Sequence, residues 1–303
     1  MSPDQFADAL RAIDANLFLD DAGTTSVLGT EYAATTKDGA EVRVTRLAPE
    51  LMEGLRDRDA FVRVVGRHGY VGAGIAGGAL YVVEARPRGE PFAARLAREG
   101  TIRPTLLAPI AVAAGRELHA GVHRHGPHGG ISPATLLVEG EHVAFRWPGV
   151  VPGLVAAGAD LESIARYLEL TDYLAPETAN AGAFDARSDV YELGATLYAA
   201  ATGRAPFGGR TTATTMAAVL TDDAAALASP GRRLTAAVLR AIERDPADRW
   251  HDAKLFTEAV MGAPLPRSRG SQEVRRRGRG RTIATLVVIA LTLLAFLLWR
   301  LTH

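Results

Sequence analysis

Four histidines lie close together in this chain: His119, His123, His125 and His128. Imidazole nitrogens are common zinc ligands, but the spacing is loose and no carboxylate or thiolate stands among them. A solvated connection from a helix to a loop accounts for them better than a metal site. A glycine cluster, Gly66, Gly69, Gly72, Gly74, Gly77 and Gly78, has the composition of a phosphate cradle. It does not fall between a strand and a helix start in GxGxxG form, so it reads as a loop. Cysteine is absent, which removes thiolate nucleophiles, thiolate metal sites and disulfides together. Carboxylates for acid–base or metal chemistry are sparse in the middle of the chain. No aspartate occurs from 121 to 159, and Glu139 and Glu141 there flank a turn glycine and are expected to face water.

These groups must be positioned by a chain of 303 residues, 48% hydrophobic and 22% charged, which is enough to bury a core. Residues 17–86 read as strands and turns with one helix. A hairpin is expected from Tyr32 to Leu47 around the turn Lys37-Asp38-Gly39. A helix is expected over 51–67 through Leu55, Phe61 and Val65, and a short strand over 79–83. Longer helices follow over 102–120, 189–202, 234–243 and 252–261. A small sheet followed by a larger helical body is an α+β arrangement in two lobes.

The formal net charge of zero hides an asymmetry: Arg275, Arg276, Arg277, Arg279 and Arg281 crowd one short stretch. Basic charge is not spread over a folded face, so nucleic acid is not an expected partner. Directly after the arginines, residues 282–299 run for 18 residues without a charge. As a helix they would span about 27 Å, close to a bilayer's hydrocarbon core. The arginines place the N-terminal side in the cytoplasm, and Trp299 suits the far interface. Residues 263–281 read as a basic juxtamembrane linker able to lie against anionic lipid. Within it Ser268 and Ser271, more than Thr211 or Thr215, suit phosphorylation, which would weaken that contact. No secretory signal peptide is visible among the first twenty residues, which carry Asp4, Asp8, Arg11, Asp14 and Asp20.

Four stretches carry a resemblance. Tyr173-Leu174-Ala175-Pro176-Glu177 is followed by Ser188-Asp189-Val190-Tyr191-Glu192-Leu193-Gly194-Ala195-Thr196-Leu197-Tyr198 and then Thr202-Gly203-Arg204-Ala205-Pro206-Phe207. Together with Asp245-Pro246-Ala247-Asp248-Arg249, they resemble the C-lobe of bacterial Ser/Thr protein kinases of the actinobacterial type. The resemblance covers roughly 17–262, dense after 173 and thin before 80. It implies a two-lobed kinase-like fold, with an N-lobe over 1–86 and a C-lobe over 87–262; the uncharged run adds the expectation of one C-terminal transmembrane helix over 282–300. It implies a Glu177–Arg249 ion pair, an Asp189 that accepts from the backbone of the catalytic loop, and a Gly194 that lets helices approach.

The chemistry of that family needs a glycine loop, a strand lysine paired with a helix glutamate, an aspartate base, and an aspartate and asparagine for metal. Aligned outward from the C-lobe, each position holds something else. In the segment before Leu136-Leu137-Val138, Gly130 takes the place of the base, Ser132 of the lysine and Thr135 of the asparagine. Val122-His123-Arg124-His125 imitates the motif's start but has no aspartate. Trp147 stands for the magnesium-binding aspartate, with Pro148 and Gly149 after it. Thr24 and Ser26 replace two glycines of the phosphate loop, and Gly29 ends it. Thr45 falls at the lysine, with Arg43 two residues off and Arg46 on the other face. Val64 or a neighbour falls at the partner glutamate. The expectation is a pseudokinase with no cofactor, ATP with magnesium being implied only if the chain is a divergent kinase or a nucleotide sensor. Its cleft is expected to hold no placed cation for triphosphate and no acid pair for metal. Cytoplasmic signalling proteins and anionic lipid are the expected partners, at the cell membrane.

Overall fold

The computed structural model describes residues 3–13, 17–19, 23–86, 88–207, 214–215, 218 and 232–263. Residues 1–263 form one compact unit. The segment 282–299, the linker arginines, and Ser268 and Ser271 lie outside the described residues. Among the described residues no helix is long and apolar enough to cross a membrane.

The chain opens with a helix that sequence reading passed over, α1 (Pro3–Ile13). Phe6 and Leu10 recur at i and i+4, face one side and are fully buried. They cover one face of an antiparallel sheet built from β1 (Leu17–Leu19), β2 (Thr24–Thr25), β3 (Gly29–Thr36), β4 (Glu41–Leu47), β5 (Gly72–Ala76) and β6 (Ala79–Ala85), in the order β1-β3-β4-β6-β5 with β2 on β3. Phe6 stacks on Tyr32 at 5.5 Å between ring centres, and Arg46 lies over the Phe6 ring. Strand alternation sends Tyr32, Val42, Val44, Tyr81 and Val83 to the α1 side. It sends Glu31, Arg43, Thr45 and Glu84 to the other, with Glu31 opposite Thr45 and Arg43 opposite Glu84. The expected hairpin is present.

The expected helix over 51–67 is instead two pieces, a 3-10 turn (Pro49–Met52) and α2 (Arg58–Val65). Gly54 between them adopts φ 72°, which no helix tolerates, and Asp57 caps α2 by accepting from the Ala60 amide. The glycine cluster is not one loop either. Gly72 and Gly74 lie in β5, where a Cβ on Gly74 would strike the Tyr81 ring, and Gly77 and Gly78 turn the chain into β6.

The second lobe is helical: β7 (Glu90–Pro91), α3 (Phe92–Glu99), α4 (Pro104–His125), the hairpin β8 (Leu136–Glu139) and β9 (His142–Phe145), then α5 (Val150–Ala156), α6 (Leu161–Tyr167), α7 (Pro176–Ala181), α8 (Ala186–Thr202), α9 (Arg232–Ala241) and α10 (Ala253–Met261). The α8 helix starts at a capping box between Asp185 and Ser188 and ends at Gly203 in the left-handed region. Its residues 188–200 are all buried, so it is the axis around which α4, α9 and α10 pack. A second apolar cluster joins α2 to the segment 147–174. A sheet lobe followed by a helical lobe is the arrangement of a kinase-like fold.

Candidate functional site

The loop 128–135 is held from below by two acids on α8. Asp189 accepts from the backbone amides of His128 (2.7 Å) and Gly129 (2.8 Å). Glu192 accepts from the Ile131 amide at 2.8 Å. Glu192 had no role assigned from the sequence, although an acid three residues after Asp189 in an apolar helix was a usable signal. Both acids are fully buried. Burial raises both carboxyls, Asp189 to about 7 against the lowering pull of the two amides.

The loop's substituted positions are occupied structurally. Ser132 Oγ accepts from the Ala134 amide, and Thr135 Oγ1 accepts from the Ser132 amide and donates to the Gly130 carbonyl. A Cβ on Gly130 would lie 3.1 Å from Val151 Cγ2 and 3.7 Å from Leu170 Cδ1. The space in front of the loop is an apolar crevice of about 20 Å³, walled by Leu28, Trp147, Val150, Val151 and Leu168 among others. It is filled because α5 follows Trp147 directly and packs on Phe61 and Val65 of α2. A Cβ on Gly153 would meet Val65 at 2.9 Å, so α5 and α2 touch closely. The inner side of α2 is therefore apolar, and Val64 is only half-buried on that helix.

The residue before Trp147 organises the cleft. Arg146 is 5% exposed. Its Nη1 donates to Glu31 Oε1 at 2.9 Å, and its Nε and Nη2 both donate to Glu84 Oε1. Arg43 donates to Glu31 Oε2 at 2.8 Å. The Arg146 guanidinium also lies 4.2 Å from the centre of the Trp147 ring, and Trp147 takes φ 58° to allow it. Burial alone would raise Glu31, but the charge and hydrogen bond of Arg146, with Ser26 and Arg43, hold its carboxyl below the ordinary range. For Glu84 burial outweighs Arg146 and the carboxyl is raised. Thr45, at the lysine position, is fully buried beside them, and its hydroxyl has no hydrogen-bond partner. The cleft thus departs from expectation. It contains a cation and an acid pair, contributed by residues the family pattern does not mark, and they are bound to one another.

The phosphate-loop positions are likewise committed to the backbone. Thr24 is exposed in β2, and Ser26 Oγ donates to the Gly29 carbonyl. Gly29 is required by β4, since a Cβ there would sit 2.7 Å from the Ala48 amide nitrogen. The histidines separate. His119 and His123 pair on α4, His125 Nδ1 donates to the Arg67 carbonyl, and His128 is buried with Nε2 donating to the Arg146 carbonyl. His128 is therefore not part of a solvated connection. Among the described residues no three His, Asp or Glu side chains form a metal-holding group. Thr215 is buried and donates to Asp172 at 3.1 Å. Far from the cleft, Arg249 makes a two-pronged pair with Glu177 at 2.6 and 2.8 Å. A Cβ on Gly194 would lie 2.7 Å from that of Ala241, which fixes the α8–α9 approach.

No family model matches the chain. Its relatives among known proteins are kinases. It is 31% identical to the serine/threonine-protein kinase PknB of Mycolicibacterium smegmatis over 56% of this chain and 27% of that protein. It is 30% identical to PknB of Mycobacterium tuberculosis over 48% of this chain and 23% of that protein. It is 40% identical to the DNA damage-responsive serine/threonine-protein kinase RqkA of Deinococcus radiodurans over 32% of this chain and 14% of that protein. The match thus spans about a quarter or less of those proteins' own lengths. Over these stretches the chain is similar to bacterial Ser/Thr protein kinases.

Such kinases imply ATP and magnesium. The residues present do not fit them. The buried Arg146 is bonded to carboxylates, Glu31 and Glu84 converge on its guanidinium, and the indole of Trp147 stands where the sequence reading expects the metal aspartate, whereas magnesium needs oxygen ligands.

Proposed function

We propose that the chain is a pseudokinase, a kinase-shaped domain that binds cytoplasmic signalling proteins as a scaffold or regulator and does not transfer phosphoryl groups. The observation that carries this reading is the ion cluster of Arg146, Glu31, Glu84 and Arg43 in the cleft, in which the buried guanidinium is taken up by two carboxylates. A buried cation paired with two carboxylates has no charge left for triphosphate, and prising it free leaves carboxylates unpaired at several kcal/mol. The missing base compounds this, since such a group contributes about 10²–10⁴ in rate. The uncharged run 282–299 after five arginines supports anchoring at the inner face of a membrane, with anionic lipid against the linker.

A second reading is a divergent kinase or nucleotide sensor. It is favoured by one observation, that two carboxylates and an arginine do meet in the cleft. The full-length chain in lipid nanodiscs separates the two. A ligand at 100 times its Kd adds about 2.7 kcal/mol, several degrees in melting temperature. The pseudokinase reading expects no shift with ATP and magnesium and no ³²P transfer to itself or to a basic substrate. A magnesium-dependent shift would establish a sensor, and transfer would establish a kinase.

A further inference from the structure

A hollow of about 810 Å³ opens between the C-terminal half of α4, the β8–β9 hairpin and the end of β6. It shares no wall residue with the small crevice in front of the catalytic loop. Its volume suits a drug-sized organic molecule. Leu118, Val122, Ala144 and Phe145 supply apolar wall.

One buried carboxylate reaches it. Glu84 is 9% exposed, and its Oε1 accepts both hydrogen bonds from Arg146. Its Oε2 has no hydrogen-bond partner among the described residues and is not among the atoms sealed from solvent. Glu84 lines the hollow, and with Oε1 committed to Arg146 its Oε2 is the carboxylate oxygen left for a ligand there. Burial raises this carboxyl more than Arg146 lowers it, so its charge is incompletely compensated and gains from another cation.

Gly121 gives a second, independent indication. It sits inside α4, where alanine would be better by about 1 kcal/mol. Gly115 in the same helix has a packing reason, because a Cβ there would collide with Thr257 of α10. Gly121 has none: nothing lies within 4 Å of the Cβ it lacks, and it lines the hollow. The glycine keeps that wall open at the expense of the helix. Arg86, Arg88 and Arg124 line it together with Glu117 and Glu139, charges of both signs, and Glu84 is its buried carboxylate.

We infer that this hollow is a binding site for a small organic cation, an amine on an apolar body whose ammonium pairs with Glu84 Oε2. The site does not rest on the pseudokinase reading and stands or falls separately from it.

The test uses the full-length chain in nanodiscs with 2-phenylethylamine, its neutral analogue 2-phenylethanol, and 3-phenylpropionate, each titrated by calorimetry. The amine should saturate, bind at least about tenfold more tightly than the alcohol, and leave the anion without binding. Gly121→Leu fills the hollow from a helix that tolerates the change. It should weaken the amine at least about tenfold while the melting temperature holds or rises. Glu84→Gln, if it folds, should erase the preference for amine over alcohol. The inference is overturned by equal affinity for amine and alcohol, by undiminished binding in Gly121→Leu, or by a preference that survives Glu84→Gln. It is also overturned if the amine fails to saturate below about 10 mM, the weakest binding expected of about nine heavy atoms.

Discussion

Gly130 stands under Val151 and Leu170, so a catalytic carboxylate cannot be put back there by one substitution. An aspartate would be pressed into an apolar crevice without a partner. Gly130→Asp should therefore lower stability by about 2–4 kcal/mol in urea unfolding and leave phosphoryl transfer at background. His128 carries a different signature. Burial lowers its imidazole to about 3, and Nε2–H is committed to the Arg146 carbonyl, so the folded ring is neutral. In the unfolded chain it protonates below about 6.5. Stability is thus fully present above that pH and is lost as pH falls from about 6.5 toward 3, at up to about 1.4 kcal/mol per pH unit. His68, lowered by burial to about 4, acts in the same sense. The raised Asp189 and Glu192 act oppositely: stability is present below about 4 and lost as pH rises through about 7 for Asp189. His128→Phe should be less stable at neutral pH but lose less between pH 6.5 and 5 than the parent. Urea unfolding at those two pH values checks it, and equal slopes would count against a neutral buried ring.

At the scale of elements, α1 is the part that composition concealed. Its apolar stripe is short, Phe6, Leu10 and Ile13 at i, i+4 and i+7, between acidic residues at Asp4, Asp8 and Asp14. Phe6 and Leu10 are nonetheless fully buried against the sheet. Phe6→Ala should cost about 3–5 kcal/mol, because Tyr32, Tyr81 and Arg46 all lean on that ring. Elements with dense local signals were readable in advance. The β3–β4 hairpin had its turn residues and alternation, and α8 had the stretch 188–198, although its start at Ala186 lies three residues before the expected one. The site was readable only in part. Positions along a motif, such as Gly130, Thr135 and Trp147, could be counted from the C-lobe. Glu31 and Glu84 come from two strands and Arg146 from the residue after a third, far apart in sequence, and no local pattern announces that they share one point. Gly54 likewise broke the expected helix through a backbone angle that hydrophobic spacing does not encode.

For the whole molecule, Arg146 ties the sheet to the β8–β9 hairpin, so its substitution tests how the two lobes hold together. Arg146→Met strands the buried Glu84 and leaves Glu31 with Arg43 alone, and should cost about 3–5 kcal/mol. Replacing all three, with Glu31→Gln and Glu84→Met, should restore much of that loss, because a buried ion cluster exchanged for neutral groups of like size is often no less stable. If single and triple variants melt alike, the acids are not what the arginine satisfies. A diffusible counter-ion at this spot would come and go with supply and could be stripped by a chelator. A guanidinium joined to the chain has no such bulk concentration. The join between sheet and hairpin is set at synthesis and is indifferent to dialysis.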